Sequence, residues 1–139
     1  MAEKKQKITI VTGKRKTSVA RARLIEGTGK ITINNISLDI YQPEYARLKI
    51  RESLILAGDL TKGVDITVNV RGGGVVSQAD AIRQSIAKSM VDFFKNENLK
   101  KMYLDYDRNL LVYDSRRTEP HKPSRSRKGS RRHKQRSKR

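Results

Sequence analysis

The 139 residues have room for one domain, and they carry 32 Lys and Arg against 14 Asp and Glu, a formal charge of +18. No cysteine is present, which excludes a disulfide scaffold, a thiolate nucleophile and Cys-ligated zinc, while the charge points to a polyanionic partner. The apolar run Ile8-Thr9-Ile10-Val11 is too short for a signal peptide, and nothing approaches the roughly 18 apolar residues of a membrane span, so the default reading is of a soluble intracellular protein without a membrane partner.

Residues 7–12 alternate and are rich in β-branched side chains, as a strand requires. A basic turn, Gly13-Lys14-Arg15-Lys16, precedes a second strand from Thr17 to Ile25, giving a hairpin with a cationic tip. On that second strand Val19, Arg21, Arg23 and Ile25 share one face, while Ala20, Ala22 and Leu24 share the other. Glu26-Gly27-Thr28-Gly29 reads as a turn, Lys30 to Ile33 as a short third strand, and Asn34-Asn35 as another turn.

Pro43 suits the first turn of a helix, and Ala46, Ile50 and Leu54 with Leu48 and Ile55 carry that helix to Ala57-Gly58. Val64, Ile66, Val68 and Val70 alternate with polar residues and predict a strand that ends at Arg71-Gly72-Gly73-Gly74. Ala79, Ile82, Ile86, Met90 and Phe93 recur at helical spacing, predicting a long amphipathic helix whose other face carries Gln78, Arg83 and Lys88. A short helical continuation through Leu99 to Tyr103 and an apolar patch from Leu110 to Tyr113 close the domain. The predicted order is three strands, helix, strand, helix and then a tail, with no internal repeat.

The tail is 115–139. It contains no hydrophobic side chain and holds twelve Lys and Arg against Glu119 alone, a net +11 that leaves +7 for residues 1–114. Such a segment has nothing to bury against the roughly 1–2 kcal/mol per residue of lost backbone freedom, so its order must come from outside, best from phosphates that replace its counterions. The expected organisation is therefore a globular α/β domain over 1–114 and an extended basic tail over 115–139, disordered without RNA. Its Ser-Arg pairs at 124–127 and its basic run at 131–134 fit a localisation signal, a phosphorylated segment or phosphate ligands inside a larger particle, and the sequence does not separate these. Lipid is disfavoured, because the tail lacks the Trp, Phe or Leu that would insert into an interface.

Gly72-Gly73-Gly74 lies between a strand and a helix N-terminus, where a tight turn and a phosphate cradle are the competing readings. Arg71 before it, with Gln78 and Arg83 after it, favours the cradle. Neither Gly13-Lys14 nor Gly27-Thr28-Gly29-Lys30 has the spacing of a nucleotide-binding loop. For Lys14, Arg15 and Lys16 a solvated turn is the competing reading, and their pairing with Arg21 and Arg23 on the next strand favours a nucleic-acid face. Catalysis is poorly served: His121 and His133 both lie in the tail, and Asp105, Asp107 and Asp114 match turn or cap roles better than a metal loop. No cofactor, metal or small-molecule substrate is expected. The tyrosines and phenylalanines mostly belong to apolar patterns, with Tyr106 and Tyr113 left open for base stacking.

Three motifs in this order resemble the small-subunit ribosomal protein nine family: Gly13-Lys14-Arg15-Lys16-Thr17-Ser18-Val19-Ala20-Arg21-Ala22, then Gly72-Gly73-Gly74 with Gln78-Ala79-Asp80-Ala81-Ile82-Arg83 and Ile86-Ala87, then a basic tail ending Ser137-Lys138-Arg139. The stretch from Tyr41-Gln42-Pro43-Glu44 to Leu56-Ala57-Gly58 looks most like the archaeal and eukaryotic branch. The resemblance implies a two-layer α/β sandwich with a left-handed crossover, of the kind shared with the second domain of ribosomal protein five, and no enzymatic activity. It implies a structural role in the ribosome, with 16S-type rRNA of the subunit head bound by Lys14, Arg15, Lys16, Arg21, Arg23, Arg71, Gly72, Gly73, Gly74, Gln78 and Arg83. Along the tail the RNA ligands would be Arg116, Arg117, Lys122, Arg125, Arg127, Lys128, Arg131, Arg132 and Lys134. Arg136, Ser137, Lys138 and Arg139 would touch the anticodon stem-loop of the peptidyl-site tRNA, and other head proteins would be neighbours. Ser77 replaces a frequent family glycine, and Arg136 replaces an aromatic of bacterial members. The competing readings are a small-molecule kinase using the glycine loop, against which stands the lack of a general base and Mg²⁺ ligands near Gly72, and a general nucleic-acid chaperone that uses the tail alone.

Overall fold

The computed structural model describes residues 7–118. Strand β1 (Ile8–Arg15) and β2 (Ser18–Glu26) form an antiparallel hairpin that closes from Arg15↔Ser18, with Lys16 left-handed at φ 52°. The turn is thus only Lys16-Thr17, and Lys14 and Arg15, expected at the tip, are strand residues on opposite faces. β3 (Ile31–Ile33) turns through Asn34 and Asn35, at φ 47° and 66°, into the two-residue strand β4 (Ile36–Ser37). β4 was not expected, because two residues are too few to show alternation.

Pro43 stands one position earlier than expected: it is the N-cap of α1 (Glu44–Ala57), and its carbonyl accepts from Ala46 and Arg47, each at 3.1 Å. Gly58, at φ 58°, ends that helix. α1 leads to β5 (Val64–Arg71), which runs antiparallel to β2 and parallel to β3, giving the sheet order β1-β2-β5-β3-β4. α2 (Val75–Phe94) then crosses back over β1 and β2. Lys95, left-handed at φ 50°, stops it, and Asn96 starts a separate helix α3 (Glu97–Tyr106) by accepting the N–H groups of Asn98 and Leu99. The expected continuation is therefore a distinct, capped helix.

The core lies between sheet and helices. Ala20, Ala22 and Leu24 of β2 and Val64, Ile66, Val68 and Val70 of β5 face Ile82, Ile86 and Met90 of α2. A second seam joins Ile50 of α1 to Tyr103 of α3, whose hydroxyl donates to the Ser53 carbonyl at 2.7 Å; burial pushes the Tyr103 phenol up. Residues 107–114 form a strap that covers the outer side of α2, with Leu110 fully buried. Because of that strap and α1, every residue of α2 from Ala81 to Ala87 is buried, so the polar outer face expected at Arg83 does not exist there. Among the described residues the other face of the sheet is uncovered.

Candidate nucleic-acid interface

That uncovered face gathers the cations of three strands. The register aligns Lys14 with Val19 and Val19 with Arg71, Thr12 with Arg21 and Arg21 with Asn69, and Ile10 with Arg23 and Arg23 with Thr67. Lys14 and Arg71 therefore stand two strands apart, roughly 10 Å, with Arg21 and Arg23 stepping down the strand between them. All four side chains belong to exposed residues, and among the described residues no carboxylate is salt-bridged to any of them. Asp65 shares this face, but it sits at the far end of β5 and accepts the backbone N–H groups of Lys30 at 2.9 Å and Thr28 at 2.8 Å. Those hydrogen bonds hold its carboxyl below the usual range, with Lys30 the largest contributor. An unneutralised cationic face repels itself and gains when phosphates replace its counterions.

The glycine loop abuts the top of this face. Gly72 and Gly73 have φ of 78° and 69°, and a Cβ on Gly73 would lie 2.0 Å from the Ser18 hydroxyl, so only glycine fits. The Gly72 carbonyl accepts from Ser18 Oγ at 2.9 Å and from Gln78 Nε2 at 3.1 Å. Gln78 thus braces the loop, while Gly74 is the N-cap of α2 with no side chain closing the first turn.

Two expected RNA ligands turn inward. Arg83 is only 8% exposed and is held between Glu52, at 3.0 Å, and Asp107. Arg15 lies on the inner face of β1 between Asp80 at 3.9 Å and Asp114 at 3.6 Å, and it donates to the Arg116 carbonyl at 3.1 Å. A guanidinium so paired and covered serves as an internal strut of the domain. Alternation signals the inward face for Arg15; for Arg83 the burying strap is remote in sequence and leaves no local signal.

The strap is pinned to the sheet and to α2 by side-chain hydrogen bonds. Gln84, 3% exposed, accepts the Lys14 N–H at 2.8 Å and donates to the carbonyls of Val112 at 2.9 Å and Asn109 at 3.3 Å. Asp114 bridges to Arg15 as a parallel partner of the β1 edge and accepts from the Arg116 guanidinium at 2.7 Å and from its N–H at 3.0 Å. Arg117 donates to the Tyr113 hydroxyl at 2.9 Å with its guanidinium 5.9 Å from the ring centre, which occupies a ring left open for bases. Asp107 and Asp114 cap the N–H groups of Asn109 and Arg116, as their expected turn roles require. Among the described residues no group of three or more His, Asp or Glu is placed to hold a metal ion. Arg116 and Arg117 are exposed at the strap's end, and Lys122, Arg125, Arg127, Lys128, Arg131, Arg132, Lys134, Arg136, Ser137, Lys138 and Arg139 lie outside the described residues.

Hydrogen bonds from Arg116 hold the Asp114 carboxyl well below the usual carboxylate range. A folded value below the unfolded one, about 3.9, means that the contribution is complete well above pH 4 and fades as pH falls toward the folded value. The melting temperatures of wild type and Asp114→Asn should therefore differ by a constant amount above about pH 5 and converge in stronger acid. A difference independent of pH down to acid unfolding would remove the carboxylate from the strap's stability.

The sequence profile of the family described as ribosomal protein S9/S16 matches residues 13–139. The small ribosomal subunit protein uS9 of Methanococcus vannielii is 49% identical over 131 residues, covering 94% of this chain and 98% of the relative. Its counterpart in Methanococcus maripaludis is 48% identical over the same share of both chains, and that of Desulfurococcus amylolyticus is 50% identical over 118 residues, 85% of this chain and 84% of the relative. These relatives are archaeal, as the Tyr41–Gly58 stretch suggested. With the profile matching residues 13–139 and relatives 48–50% identical over most of both chains, the chain belongs to the ribosomal protein S9/S16 family, structural and non-enzymatic proteins of the cytoplasmic ribosome.

Proposed function

We propose that this chain is a structural constituent of the small ribosomal subunit that holds 16S-type rRNA of the head on its open sheet face and extends its basic tail along the same RNA to the peptidyl-site tRNA. The observation that carries this reading is that Lys14, Arg21, Arg23 and Arg71 share one sheet face that is uncovered and holds no salt bridge to them among the described residues, while the inward Arg15 and Arg83 are paired. The glycine loop beside them, with Lys16 at the hairpin turn, extends the phosphate-binding surface. Residues 1–114 act as the RNA-binding domain and 115–139 as the tail that gains order on RNA, and the left-handed sense of the β3-α1-β5 crossover is carried over with the family. Tyr45, Leu48 and Ile55 on α1 and Met102 and Tyr106 on α3 expose apolar surface away from the cations, which suits neighbouring head proteins.

At the end of the tail, Lys138 and Arg139 contact the anticodon stem-loop. Subunits reconstituted with Lys138→Ala and Arg139→Ala should assemble normally yet retain peptidyl-site tRNA less well, with a shallower salt dependence. Wild-type tRNA retention in the double variant overturns the tRNA contact and leaves the rRNA role standing. A chaperone that uses the tail alone would instead bind duplex DNA and RNA alike, whether or not the sheet-face arginines were removed.

A further inference from the structure

At one end of the cationic face the surface sinks into a cleft of about 640 Å³ lined by Val19, Arg21, Asn35, Asn69 and Arg71. We infer that this cleft receives one unstacked RNA nucleotide, with the amides of Asn35 and Asn69 on its base edge and the guanidinium groups of Arg21 and Arg71 on the flanking phosphates. The inference rests on the reading of this face as an RNA surface and adds to it a base-reading site.

The geometry supports a built site. Asn34 accepts the Val70 N–H at 2.9 Å and donates to the Val70 carbonyl at 3.3 Å, replacing the pairing that β5 loses where β3 ends. Its backbone N–H also donates to Val68 at 2.8 Å. The turn is therefore tied to β5 at three points, and Asn35, next in the chain, is held over the cleft although it sits at a hairpin tip. Asn69 comes from the middle of the sheet, directly opposite Arg21. Among the described residues neither the Asn35 nor the Asn69 amide has a hydrogen-bond partner within the protein, whereas the Asn34 amide is engaged through both its oxygen and its nitrogen. Each open amide offers an acceptor and two donors, the set that pairs with a base edge in two places. The half-buried Val19 gives the base an apolar contact, and the guanidinium planes beside it suit stacking.

The concavity selects the form of the ligand. The shallow minor groove of an A-form duplex presents hydroxyls and phosphates to a protein surface, and a base enters a recess only when unpaired in a loop or bulge. A tail that binds through the charge of its eight arginines and four lysines cannot make that distinction, so this cleft is where the chain tells one RNA sequence from another.

The test uses the full chain and a transcript of the small-subunit head rRNA, with affinity measured across salt concentrations and bases probed chemically at single-nucleotide resolution. Asn35→Gly keeps the left-handed turn, and it is combined with Asn69→Ala. That pair should bind about tenfold more weakly at every salt concentration, with an unchanged slope, and one unpaired base should lose its protection. The pair Arg21→Ala with Arg71→Ala should lower the slope by about two. Wild-type affinity and an intact footprint in the asparagine pair overturn the base-reading site, and a lowered slope in the arginine pair then leaves the RNA face standing. If the arginine pair alters neither affinity nor slope, the RNA-face reading itself fails.

Discussion

Truncation after Thr118 should take most of the salt dependence out of rRNA binding while leaving the domain folded. Residues 119–139 hold ten of the twelve tail cations, and the strap that covers α2 ends at 114, before the cut. A protein with six to ten phosphate contacts loses about 10³ to 10⁵ in affinity between 50 and 200 mM salt. With Lys14, Lys16, Arg21, Arg23 and Arg71 left to neutralise phosphates, and Arg116 and Arg117 engaged by Asp114 and Tyr113, the same interval should cost about three hundredfold, because each contact adds roughly 0.7 to 0.9 to the slope. Filter binding of both chains to the head transcript over that range measures the difference, and circular dichroism melts check the fold. The truncated chain should also keep its discrimination between head rRNA and unrelated RNA of equal length, since the sheet face and its cleft remain. A slope as steep as that of the full chain would show that the tail is not the principal electrostatic partner.

The division between face and tail explains what could be read from the chain. Alternation placed Arg21 and Arg23 opposite Ala20, Ala22 and Leu24, and the structure keeps that split because β2 is flanked on both edges by long strands in one register. The valines and Ile66 of β5 gave the same clarity, and α2 was visible through Ala79, Ile82, Ile86, Met90 and Phe93, all buried. Hidden from view were features made by segments far apart in sequence. Gln84 joins β1 to a strap some 25 residues downstream, Arg83 is covered by that same strap, and Asn34 substitutes for a strand neighbour on β5. Asn69 was legible as an outward residue of β5, yet nothing local tied it to Asn35 across the sheet. A window along the chain reports which face a residue occupies and says little of what arrives to cover it.

Gly13 shows how that distinction changes the reading of a motif. In Gly13-Lys14-Arg15-Lys16 the glycine looked like part of a basic turn, yet it lies inside β1 on the face toward α2. A Cβ there would stand 2.3 Å from the Ala81 carbonyl oxygen and 2.6 Å from the Ser85 nitrogen, both main-chain atoms that cannot rotate away. The helix accepts this approach because its facing residues are small and because Ser85 and Ser89 return their hydroxyls to the carbonyls of Ile82 and Ile86, each at 2.8 Å. Gly13→Ala must therefore push α2 off β1, straining the Gln84 link to Lys14 and with it the strap that launches the tail. Overpacking of a fixed core typically costs 1–3 kcal/mol, and contact with main chain places this variant at about 3 kcal/mol. For a domain near 100 residues that lowers the melting temperature by about 10–20 °C. Gly63→Ala, where an added Cβ meets nothing within 4 Å, is the matched control and should stay within about 0.5 kcal/mol of wild type. Equal melting temperatures for the two variants would refute the close β1–α2 approach, and the glycine of the motif would return to being a feature of the turn.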